Sequence, residues 1–109
     1  MAKKNDFLPG TLDMLILKTL SLGSQHGYGI AQHIMQTSDS ALNVEEGSLY
    51  PALQRLLVQG FVKAEWRQSE TNRRARYYSL TPAGRKQYGI EVSQFEQLVA
   101  AIGRVLQTT

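Results

Sequence analysis

The chain of 109 residues contains no cysteine. That absence excludes disulfides, thiolate nucleophiles and thiolate-held metal or iron–sulfur centres, and it agrees with a reducing cytoplasm. Histidine is scarce as well. His26 and His33 are the only two, and they stand seven residues apart. A metal pair on a helix needs a spacing of four with a carboxylate or third ligand to complete it, so both imidazoles are read as solvated or hydrogen-bonded. A long apolar run is also missing. The stretch from Leu12 to Leu22 is interrupted by Asp13 and Lys18 and is too short to span a bilayer. The start of the chain is basic and polar and does not resemble a signal peptide, so no membrane association is expected. Gly23 to Gly29 is glycine-rich but lacks the Gly-Lys-Ser/Thr ending of a phosphate loop. Glu45 and Glu46 form a carboxylate pair with no histidine or metal ligand nearby to give it acid–base chemistry. No enzymatic activity, metal or cofactor is therefore expected.

What is present is a concentrated positive charge. Arg67, Arg73, Arg74, Arg76, Arg85 and Lys86 fall within one window of about twenty residues, opposed by Glu70 alone, a local charge of +5. The whole chain carries +3, which leaves −2 for the remainder. The sequence pI near 9.4 points to an acidic polymer as partner.

Around that window lies an ordered set of elements. Ser48 is an expected N-cap, with Pro51 tolerated in the first turn that follows. Leu49, Leu53, Leu56 and Leu57 give the helix one apolar stripe, and Gly60 is its expected C′ stop. Tyr50, Gln54 and Arg55 occupy the opposite face. Phe61–Arg67 and Arg76–Thr81 predict the strands of a hairpin with a polar turn between them. Trp66, Tyr77 and Tyr78 are expected to pack across its strands. Thr81-Pro82 reads as an N-cap followed by a first-turn proline.

Upstream, the residues before about Phe7 predict a loose arm in which Lys3 and Lys4 are ordinary frayed lysines. Thr11 is the expected N-cap of a strongly apolar first helix. Its apolar residues extend beyond one stripe, which suggests burial on two sides, one of them against a partner subunit. Ile30, Ala31, Ile34 and Met35 mark the core face of a second helix begun by Tyr28. Leu42-Asn43-Val44 is a candidate for a short third strand. Downstream, Tyr88, Val92, Phe95, Val99, Ile102 and Leu106 recur at spacings of 4, 3, 4, 3 and 4. This 3.5-residue seam predicts a dimerisation helix.

Gly47-Ser48-Leu49-Tyr50-Pro51-Ala52-Leu53, the segment Asn72-Arg73-Arg74-Ala75-Arg76-Tyr77-Tyr78-Ser79-Leu80-Thr81-Pro82-Ala83-Gly84, and Gly27-Tyr28-Gly29-Ile30 upstream together resemble the signature of the PadR family of bacterial transcription regulators. The resemblance covers nearly the whole chain. It implies a homodimeric winged-helix DNA-binding protein, usually a repressor, with room for a small hydrophobic effector near the dimer interface.

The expected fold is accordingly α+β: mostly helical with a small antiparallel hairpin, a winged helix-turn-helix followed by a long C-terminal helix. Residues 1–83 form the expected DNA-binding region and 84–109 the dimerisation helix, within one domain overall. Double-stranded DNA with a pseudo-palindromic operator is the expected partner. Gln54 suits adenine and Arg55 guanine or a phosphate, while Tyr28, Ser48, Tyr50, Arg73, Arg74 and Arg76 suit the backbone. The alternative from another class is a winged-helix module that binds protein rather than DNA. It calls for a more apolar recognition face than Tyr50, Gln54 and Arg55 provide.

Overall fold

Short apolar stripes, none wide enough to bury itself alone, converge on one core in the computed structural model, which describes residues 10–68 and 70–108. The elements run α1 (Thr11–Ser21), β1 (Gln25–His26), α2 (Gly27–Thr37), α3 (Glu46–Val58), β2 (Val62–Gln68), β3 (Arg74–Leu80) and α4 (Pro82–Leu106). Ile16, Leu17 and Leu20 of α1 meet Ile30 and Ile34 of α2, Leu49, Leu53 and Leu56 of α3, and Val62 and Tyr78 of the sheet. Each fully buried aliphatic side chain stabilises the fold by about 1.5–3 kcal/mol relative to exposure. The apolar residues of α1 are covered by its own chain, including Met14, so no partner subunit is needed to bury them.

The termini of the helices follow from local chemistry. Gly10, at φ 86°, caps α1, and Thr11 is already its first residue. A glycine reaches this left-handed conformation without a Cβ penalty. Helix α3 begins three residues earlier than a Ser48 cap implies. Glu45 is its N-cap, and its carbonyl accepts from the amides of Ser48 and Leu49 at 3.0 and 2.9 Å. Ser48 therefore lies in the first turn, and Pro51 lies inside the helix instead of at its start. The cost is one intrahelical bond that Pro51 cannot donate to Gly47. At the other end Gly60 has φ 80°, with the Phe61 amide bonded to Leu56 and the Gly60 amide to Leu57, both at 3.0 Å. This paired arrangement is the Schellman stop expected of a C′ glycine.

The sheet has the order β1-β3-β2 and is antiparallel throughout. Its third strand is not Leu42-Asn43-Val44 but Gln25-His26, opposite Tyr78 and Tyr77. Asp39 and Ser40 have positive φ and turn the chain after α2, and Leu42 and Val44 then pack their side chains on the core without entering a ladder. In the hairpin Val62 faces Leu80, Ala64 faces Tyr78, Glu65 faces Tyr77 and Trp66 faces Arg76. No two aromatics are therefore directly opposite, and the expected cross-strand aromatic packing does not form.

Thr81 joins three elements. Its hydroxyl donates to the Gly60 carbonyl at 2.7 Å and accepts from the Gly84 amide at 3.0 Å, while its own amide donates to the Phe61 carbonyl at 3.1 Å. Gly84 is buried there, and only glycine fits, since a Cβ would stand 1.9 Å from the Phe61 oxygen. Helix α4 then runs about 37 Å at 1.5 Å per residue. Tyr88, the first member of the seam, packs on the chain's own core, and Val92 is half-buried. Beyond them the apolar face is open, from Phe95 at 36% exposure to Val105 at 68% and Leu106 at 77%.

Candidate nucleic-acid interface

Helix α2 starts where β1 ends, and His26 serves both. Its Nδ1 accepts from the Gly29 amide at 3.0 Å, satisfying one orphan donor of the helix. Its ring packs edge-on to Tyr77 with centroids 5.3 Å apart. The other free amides of this helix start give the nearby surface a positive dipole end. Two glycines allow close approach here. A Cβ on Gly27 would meet the Tyr50 hydroxyl at 3.0 Å, and one on Gly29 would collide with the Gln25 side chain at 2.3 Å. Tyr50 of α3 thus lies directly against the first turn of α2.

Across from these residues stands the β2–β3 wing, and the space between is an open groove of about 1020 Å³. Tyr28, Tyr50, Arg73, Arg74 and Arg76 all line it. Tyr28 is 67% exposed, and its hydroxyl accepts from Gln32 Nε2 at 3.1 Å. Three arginines of the wing lie over aromatic rings. Arg74 stacks over Trp66 at 5.4 Å, Arg76 over Tyr78 at 5.8 Å and Arg67 over Tyr77 at 5.0 Å. Such contacts hold a guanidinium in place while leaving its donors free for an acceptor. Arg67 also bonds Glu65, which neutralises part of its charge. Asn72 turns the wing tip at φ 64°.

Ser48, Gln54 and Arg55 do not line this groove. They are exposed on α3, whose buried side carries Leu49, Ala52, Leu53 and Leu56. Arg55 is not a free side chain: its Nη2 donates to Asp13 of α1 at 3.0 Å. Of the eight residues named from the sequence, five therefore meet at the groove and three share the outer face of α3. Lys3 and Lys4 lie outside the described residues. Trp66, expected from the sequence to pack across the hairpin, is instead 59% exposed and also lines the groove. The alternation of Val62, Ala64 and Trp66 with Lys63, Glu65 and Arg67 puts the ring on the core side of the strand, and only the fold shows that the core ends before it. No helix among the described residues is long and apolar enough to cross a membrane.

Helix α2, a turn, helix α3 and a basic antiparallel hairpin packed beside them define a winged helix-turn-helix protein. The match is specific. The model of the transcriptional regulator PadR-like family covers residues 16–90, and the chain belongs to that family. Among solved structures, a transcriptional regulator from Clostridium thermocellum is 33% identical with a TM-score of 0.80, covering 87% of this chain and 92% of that one. A PadR family transcriptional regulator from Eggerthella lenta is 29% identical with a TM-score of 0.78, covering 92% and 85%. An uncharacterized 37.1 kDa protein of transposon Tn4556 from Streptomyces fradiae is 39% identical over 95 residues. That stretch is 87% of this chain but only 25% of the longer relative. The protein is a DNA-binding transcription regulator.

Proposed function

We propose that the protein is a homodimeric repressor acting on double-stranded operator DNA in the cytoplasm. The observation that carries the DNA contact is the groove in which Tyr28 and Tyr50 face the arginines of the wing, together with the polar exposed face that α3 presents outside it. In this reading α3 enters the major groove and Gln54 meets a base edge. Tyr28, Ser48, Tyr50, Arg73, Arg74 and Arg76 take sugar–phosphate contacts that set register and affinity. Arg55 reaches a base or a phosphate by exchanging its Asp13 partner. Residues 1–83 act as the DNA-binding region and 84–109 as the dimerisation helix.

The open apolar face of α4 supports the dimer, since apolar patches of this kind mark association surfaces. Phe95, Val99, Ile102 and Leu106 meet the partner, continuing the seam that Tyr88 and Val92 begin. The small hydrophobic effector implied by the family resemblance binds near that interface. The polar character of α3's exposed face disfavours the protein-binding alternative.

Selection of randomised duplexes with purified protein yields the operator. A two-fold-related pair of half-sites, and loss of run-off transcription when the site is placed over a promoter, are the expected results. Absence of any enriched duplex overturns the DNA-binding assignment, and increased transcription overturns the repressor assignment.

A further inference from the structure

The wing carries the only tryptophan of the chain, and it is left in solvent. Successive residues of a strand alternate between faces, so Trp66 shares a face with buried Val62 and half-buried Ala64. It points to the core side of the sheet but lies beyond the edge of the core. There the helices no longer cover it, and the groove begins. Its neighbours on that face are Arg76, directly opposite, and Arg74, stacked over the ring at 5.4 Å. Tyr28 and Tyr50 stand on the far side of the same groove. An indole has an apolar face and a single N–H donor, which suits a surface that is apolar at the sugar and anionic at the phosphate.

We propose that Trp66 is a DNA-contact residue: its ring packs on a deoxyribose of the duplex seated in the groove, and its Nε1–H donates to an adjacent phosphate oxygen. This inference rests on the DNA-binding reading above. The contact reads no sequence, because sugar and phosphate are the same at every step. It carries no charge, so it adds affinity that salt does not screen in the manner of the arginines.

Because Trp66 is the sole tryptophan, indole emission from the full-length protein reports on this site alone. Fluorescence anisotropy of a labelled duplex first establishes whether wild-type protein binds. Failure to bind any duplex overturns the DNA-binding reading itself. Where binding is observed, acrylamide is expected to quench Trp66 several-fold less in the complex than in the free protein. Equal quenching in both states overturns this inference and leaves the DNA-binding reading intact. Trp66→Ala is expected to weaken operator and scrambled duplexes alike by about tenfold, with an unchanged slope of log affinity against log salt. Trp66→Phe keeps a ring beneath Arg74 but lacks the donor, and is expected to recover only part of that loss. Full recovery by phenylalanine, with no shielding of the wild-type indole, reduces Trp66 to a platform for Arg74 and sinks the contact. Circular dichroism of both variants is expected to match wild type, since the side chain is mostly exposed.

Discussion

Two residues show how much of this fold depends on single atoms. His26 Nδ1 accepts from the Gly29 amide, so His26→Ala removes the cap of α2 and is expected to cost about 1 kcal/mol in urea denaturation. His26→Asn restores an acceptor at that position and is expected to recover most of it. Gly84 tolerates no Cβ, which would stand 1.9 Å from the Phe61 carbonyl oxygen. Gly84→Ala is expected to lose about 2–3 kcal/mol, whereas Gly89→Ala, with open space around it, gains up to about 1 kcal/mol from helix propensity. Thermal unfolding of the pair separates steric from propensity effects. A sequence shows both glycines as equal helix weakeners. The difference arises from the carbonyl of a residue 23 positions earlier, which no local pattern reveals.

The elements that carry their own stop and start signals were legible. Gly60 ends α3, Thr81-Pro82 starts α4, and the two strands of the wing stand close to their expected bounds. The third strand was not legible, because two residues cannot show a period and Gln25-His26 is set by its partner β3. The start of α3 was misread because Ser48 is a good capping residue in isolation, while the actual cap is a backbone matter at Glu45. At the candidate interface the residue types were readable, but the groove that gathers five of them required the fold.

The wing and α3 are expected to fail in different ways. Arg73→Ala with Arg74→Ala removes charge from a tip poorly placed for base edges. A dimer losing four phosphate contacts lowers the salt slope by roughly 3–4, with weaker binding to all duplexes. Gln54→Ala is expected to leave that slope intact and to cost about 1–3 kcal/mol on the preferred site, with less loss on random DNA. Anisotropy at several salt concentrations distinguishes the two patterns.

The molecule as a whole measures 58 × 37 × 20 Å, and its long axis reflects a helix that outruns the core. Phe95→Asp with Ile102→Asp places charge in the exposed apolar face of α4. Burying such a charge costs several kcal/mol, so the variant is expected to be monomeric by light scattering. It is also expected to bind duplex far more weakly, because linked engagement of two half-sites is lost. Wild-type protein running as a monomer at micromolar concentration refutes this arrangement.

In the proposed dimer, Thr81 would set the geometry. One hydroxyl and one amide fasten the end of α3, the exit of the wing and the root of α4 to a common point. Helix α4 therefore behaves as a lever clamped at its base. A tilt of about 5° there moves its far end by roughly 3 Å over the 37 Å span. In the proposed dimer, a wedge pressed between two such levers would change the spacing of the two reading heads without touching either of them.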